Sequence, residues 1–129
     1  MPEYPDTMVY SARHIWVKPS ADTDEAYIGV TDFLTEELGE ITTIDLPMVG
    51  DEVERDDLCI HFHVRNRIRH SRCPLTGRIL EVNQEVLDNP GLLYLDYQAN
   101  WLFKMEFDDR DELDQMMSGT QYAKYLDSL

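Results

Sequence analysis

Apolar and polar residues alternate over Leu58–Val64, with Ile60, Phe62 and Val64 on one face and Cys59, His61 and His63 on the other. That period of two predicts a half-buried strand. Residues 65–72 then read as a connection, and Pro74-Leu75-Thr76-Gly77 supplies turn chemistry before a second strand over residues 78–82. Residues 58–80 are therefore expected to form one β-hairpin with a basic tip. Ahead of it, residues 10–18 end in an alternating strand and residues 26–30 form the next. Thr31 is placed to cap a short helix, with Asp32 in its first turn, Phe33, Leu34 and Leu38 on one side, and Gly39 to stop it. The β-branched run at 41–46 predicts a strand that ends at Pro47, and residues 48–51 a turn.

After the hairpin, residues 83–89 resemble a helical turn broken at Pro90-Gly91, and residues 92–95 a further turn or extended piece. Residues 101–107 alternate again as a strand. From Asp108 the period changes to that of a helix: four acids crowd its start, where negative charge suits the helix dipole, and Leu113, Met116 and Met117 form its apolar side. Ser118-Gly119 is expected to break this helix, and Thr120 to cap a last one carrying Tyr122, Tyr125, Leu126 and Leu129 at helical spacing. Short strands separated by turns, followed by a helical pair, describe a mainly β sandwich or barrel with helices on its edge.

A chain of 129 residues with 43% hydrophobic content is expected to fold as one domain spanning residues 1–129, with the Pro-rich residues 1–9 a loosely ordered lead-in. No apolar run approaches the roughly 20 residues of a membrane helix, and the first residues lack the basic and apolar regions of a signal peptide. A cytoplasmic protein is expected, with Cys59 and Cys73 reduced.

Charge changes the picture. Residues 58–80 hold five Arg, three of the four His and no acid, whereas the rest of the chain holds all 26 acids and six bases. The net charge of −15 argues against nucleic acid and anionic membranes as partners. The basic segment can nevertheless act locally: Arg65, Arg67, Arg69 and Arg72 are candidates to grip an anionic partner by forked hydrogen bonds, or to dock on the protein's own carboxylates. Cys59, His61 and His63 form a same-face row whose ligand types suit zinc or copper, and also suit a solvated polar strand face. No residue pattern nominates a nucleophile or an acid–base pair, so the chain is not expected to be an enzyme.

Several short motifs, in order, resemble the H-protein of the glycine cleavage system over roughly residues 10–126: His14-Ile15-Trp16-Val17, Gly29-Val30-Thr31-Asp32, Leu38-Gly39-Glu40-Ile41, Leu46-Pro47-Met48-Val49-Gly50-Asp51, Pro74-Leu75-Thr76-Gly77, Glu81-Val82-Asn83, Asn89-Pro90 and Trp101-Leu102-Phe103-Lys104. The resemblance implies a lipoyl-domain-like barrel-sandwich hybrid, with two small antiparallel sheets, a short helix in the N-terminal half and C-terminal helices. It also implies a hairpin tip reading Glu-Ser-Val-Lys, whose lysine carries lipoate and shuttles an aminomethyl group between the glycine-cleavage enzymes. Counted back from Pro74, those four positions are His63, Val64, Arg65 and Asn66. Asn66 stands at the lysine position, and the chain's lysines are Lys18, Lys104 and Lys124. Arginine is a poor acyl acceptor because its guanidinium stays protonated. The expectation is a homologue that carries no lipoate and recognises glycine-cleavage or lipoate-handling proteins; the alternative is a small anion- or metal-binding module presenting the Arg/His hairpin.

Overall fold

The computed structural model describes residues 4–129. Two antiparallel sheets face each other across an apolar core. The larger has six strands in the order β1-β2-β3-β9-β8-β5, formed by β1 (Val9–Tyr10), β2 (Ile15–Pro19), β3 (Glu25–Val30), β9 (Phe103–Phe107), β8 (Gly77–Val82) and β5 (Glu52–Val53). The smaller has three, with β6 (Leu58–Val64) between β4 (Ile41–Asp45) and β7 (Arg67–Arg72). This is the mainly β, two-sheet architecture that the patterning and the resemblance both imply. Ile60, Phe62 and Val64 of β6 are buried against Ile15, Val17, Ile28, Val30, Ile79, Phe103 and Met105 of the larger sheet.

Trp16 points to the opposite face of β2, where Met8, Tyr10 and Tyr122 form a second buried cluster with Tyr4, Tyr97 and Trp101 packed around it. Gly29 lies directly across from Trp16, and a Cβ there would sit 2.3 Å from the indole ring. The glycine clears space for the ring, whose Nε1 donates to the Tyr97 carbonyl at 3.1 Å. Of the lead-in expected over residues 1–9, residues 1–3 lie outside the described residues. From Tyr4 the chain packs on Tyr10 and Tyr122, and the Tyr4 hydroxyl donates to Asp32 at 2.7 Å.

Three expectations are corrected. Residues 65–72 are not a connection: Val64 pairs with Arg67, so β6 and β7 form a tight hairpin whose turn is Arg65-Asn66, with Arg65 at φ 47°. The strand after Pro74 does not close that hairpin either. It is β8, paired with β9 and β5 in the larger sheet. Polar side chains fill most of β7 because it is an edge strand, and inward-pointing charge there discourages further strand addition.

The C-terminal helices also start elsewhere. After α2 (Gln84–Asp88), α3 is only Asp111–Asp114, and Met117 then bridges to Tyr10 as extended chain. Ser118, not Thr120, caps α4 (Gly119–Asp127): its hydroxyl accepts from the Gln121 N–H at 3.1 Å while the Gln121 side chain accepts from the Ser118 N–H at 2.9 Å. This reciprocal box outcompetes a cap that Thr120 would have to supply alone. Upstream, α1 (Asp32–Leu38) follows Thr31 and ends at Gly39, whose φ of 79° suits glycine. The Thr31 hydroxyl makes no cap bond and instead lies 2.8 Å from the Tyr122 hydroxyl.

Candidate functional site

The β6–β7 hairpin holds most of the basic segment of the chain and supplies two of the three strands of the smaller sheet. Pairing of Val64 with Arg67 leaves the exposed Arg65 and Asn66 as its tip. Register sorts the other side chains. Arg67, Arg69 and Ser71 oppose Val64, Phe62 and Ile60 and so share the inner face, while His70 opposes His61 and Ile68 opposes His63 on the outer face.

The four candidate arginines consequently separate. Arg69 reaches Glu37 of α1 at 2.9 Å, and Arg72 Nη1 donates to the Asp56 carbonyl at 2.8 Å. Arg65 and Arg67 stand exposed at the tip, with no carboxylate at ion-pair distance among the described residues. Docking on the protein's own acid thus describes Arg69 alone, Arg72 is bonded to a neutral carbonyl, and Arg65 and Arg67 stand at the tip without such a contact among the described residues. Arg67→Glu is expected to change stability by less than about 0.5 kcal/mol. Arg69→Glu replaces an ion pair by repulsion and is expected to cost about 0.5–1 kcal/mol, less in high salt. Thermal melts of the two variants at low and high salt check the difference; equal melting temperatures would remove the Glu37 pairing from the account.

Of the row Cys59, His61 and His63, the two histidines share the outer face of β6, whereas Cys59 falls at the register shift between Leu58 and Ile60 and packs against the core; each member has a different neighbour. His63 Nε2 lies 2.7 Å from Asp45 Oδ2 on β4, and His61 Nδ1 lies 2.7 Å from His70 Nδ1 on β7, so one imidazole donates and the other accepts. The neighbouring Cys73 thiol, with burial, pushes the Cys59 thiol well above the ordinary range; Cys73 itself donates to the Leu75 carbonyl at 3.2 Å. Among the described residues no three His, Cys, Asp or Glu side chains converge as metal ligands.

A hairpin that supplies two strands of a three-stranded sheet facing a larger one fits the architecture that the motifs resemble. The family model for the glycine cleavage H-protein matches residues 8–129. The chain belongs to that family. Among its relatives, the glycine cleavage system H protein of Alkaliphilus oremlandii is 38% identical over 120 residues, covering 93% of each chain. That of Halothermothrix orenii is 35% identical over 126 residues, covering 97% of each. The crystal structure of a glycine cleavage system H protein from Mycobacterium marinum superposes with a TM-score of 0.84 at 26% identity, covering 97% of this chain and 99% of that one. Membership of the H-protein family agrees with the reading that the chain is no enzyme.

The family's group is lipoate, and the tip of this hairpin does not fit it. Attachment needs a side-chain amine, and the tip offers the Asn66 amide and the Arg65 guanidinium. Lys18 lies in β2, Lys104 in β9 and Lys124 in α4. None is in the three-stranded sheet. Lys104 is further committed to Glu25, 3.0 Å away.

Reading the sequence alone did not find the buried polar knot behind the sheet. His14 Nδ1 lies 2.7 Å and Thr31 Oγ1 2.8 Å from the one Tyr122 hydroxyl. Burial lowers the His14 pKa; Glu37 acts upward and Arg69 downward on it. His14 takes φ 70°, and this kink ends the turn after β1 and re-aims the chain into β2. The three residues come from the turn before β2, the junction of β3 with α1, and α4, so no spacing marks them.

Proposed function

We propose that this H-protein homologue carries no lipoate and serves in the cytoplasm as a non-catalytic interaction module of a glycine-cleavage or other lipoate-linked complex. One observation carries the reading: the turn that closes β6 onto β7 is Arg65-Asn66, which leaves no amine at the apex of the hairpin. The names of the relatives supply the system to which the fold belongs. The partner surface that suits the hairpin is anionic, because Arg65 and Arg67 face solvent without a carboxylate of their own among the described residues. Two guanidiniums so placed offer forked donors to carboxylates of a partner protein.

The test is incubation with a lipoate ligase and its lipoyl donor, followed by intact-mass measurement beside an H protein that does carry the lysine. No added lipoyl mass is expected on this chain. A modified species mapping to residues 58–80 would overturn the reading.

A further inference from the structure

The arginines of this chain divide by partner. Arg55, Arg69, Arg78 and Arg110 each pair with a carboxylate, whereas Arg13, Arg65, Arg67 and Arg72 have none at ion-pair distance among the described residues. In a chain with 26 acidic residues an arginine without one is unexpected. Two of these four, Arg13 and Arg72, line the same pocket.

That pocket encloses about 390 Å3 at one end of the sandwich, where the turn after β1, the approach to β6, the end of β7 and the C-terminal helices meet. Its lining includes Met116, Met117 and Tyr125 together with Arg13, Arg55 and Arg72. Arg55 is answered by Glu112 at 3.8 Å, and Glu112 is itself occupied by the Thr76 N–H and hydroxyl at 2.9 and 3.0 Å. Arg72 spends one donor on the Asp56 carbonyl, a neutral acceptor that leaves its charge uncompensated. Asp56 is the remaining acid of the lining, so the arginines still outnumber the acids there. A pocket with this excess positive charge, in a molecule of net charge −15, keeps unsatisfied donors beside an apolar wall.

We infer that this pocket binds a small carboxylate with an apolar body, its head between Arg13 and Arg72 and its chain against Met116, Met117 and Tyr125. A guanidinium fork matches the two oxygens of a carboxylate, and the volume is that of a small-ligand site. The inference is independent of the hairpin tip and of whether the protein carries lipoate.

Octanoate is the probe, titrated into isotope-labelled protein and followed by amide chemical shifts, with octanol and inorganic phosphate in parallel. Saturable shifts are expected for octanoate around residues 11–13, 72–74 and 115–117, with octanol and phosphate each at least tenfold weaker. Arg13→Gln combined with Arg72→Gln should lower octanoate affinity at least tenfold, and Arg65→Gln with Arg67→Gln should leave it unchanged. If the first pair disturbs the folded spectrum, Arg13→Gln alone serves, since that exposed side chain has no ion-pair partner among the described residues. Octanol or phosphate binding as tightly as octanoate, shifts centred on the hairpin tip, or undiminished affinity without Arg13 and Arg72 would each overturn the inference.

Discussion

Gly77→Val is expected to destabilise the protein by about 4 kcal/mol or more, a large part of the roughly 5–15 kcal/mol that holds a domain of this size. Gly77 sits inside the larger sheet, paired with Phe107 on β9 and with Val53 on β5. A Cβ built there falls 1.9 Å from the Glu106 carbonyl oxygen and 2.9 Å from the Phe107 Cα. Both are backbone atoms, so no rotamer change relieves the overlap. β8 would have to separate from β9 and break the ladder that joins the halves of the sheet. Gly91→Ala is the contrast, because the nearest atom to its Cβ is a side-chain oxygen of Asn89 at 3.2 Å, and a change within about 0.5 kcal/mol is expected. Urea unfolding followed by tryptophan fluorescence reads both variants. A Gly77→Val protein within about 1 kcal/mol of the parent would mean the strands do not approach as described.

The second large effect is expected at Tyr122, which is fully buried and joins α4 to the sheet. Tyr122→Phe keeps the ring stacked on Tyr10, 4.9 Å between centroids, but removes the hydroxyl shared by His14 and Thr31. Each orphaned buried partner costs about 1–3 kcal/mol, so a total near 2–4 kcal/mol is expected after some relaxation. The same knot makes stability depend on pH. Burial holds the His14 pKa below its unfolded value near 6.5, so the unfolded chain binds the proton more readily. The stabilisation is complete above that value and is lost as pH falls through it toward the lower folded pKa. His14→Asn, an exchange that tolerates φ 70°, should flatten this part of the profile between about pH 7.5 and about pH 5.5. Denaturant midpoints across that range decide it; parallel curves for parent and variant would show that His14 contributes no linkage.

How much of this was readable in advance depended on whether the signal was local. The bounds of β6 agree with the alternation of Ile60, Phe62 and Val64, because a strand with one buried face carries its orientation in its own side chains. Gly39 marked the end of α1 for a similarly local reason, the left-handed φ that glycine accepts. β7 was missed because an edge strand is held by backbone bonds to β6, which place no demand for apolar residues at Arg67, Arg69 and Ser71. The shared face of His61 and His63 was also legible, but the shift of register at Cys59 that turns it to the core was not. The partners His70 and Asp45 were not legible either, since they lie on neighbouring strands.

By itself the sequence determined the mainly β class, the H-protein motifs, the segregation of charge into residues 58–80 and the presence of Asn66 where the family's lysine is expected. Each of these is a property of residues read in order. Tertiary structure alone decided that β8 joins the larger sheet, that Arg69 is taken by Glu37 while Arg65 and Arg67 stay open, and that Arg13, Arg55 and Arg72 meet at one pocket. The physical reason is that pairing between strands distant in sequence is chosen by burial and hydrogen-bond satisfaction over the whole sandwich, and only that choice sets which charges become neighbours.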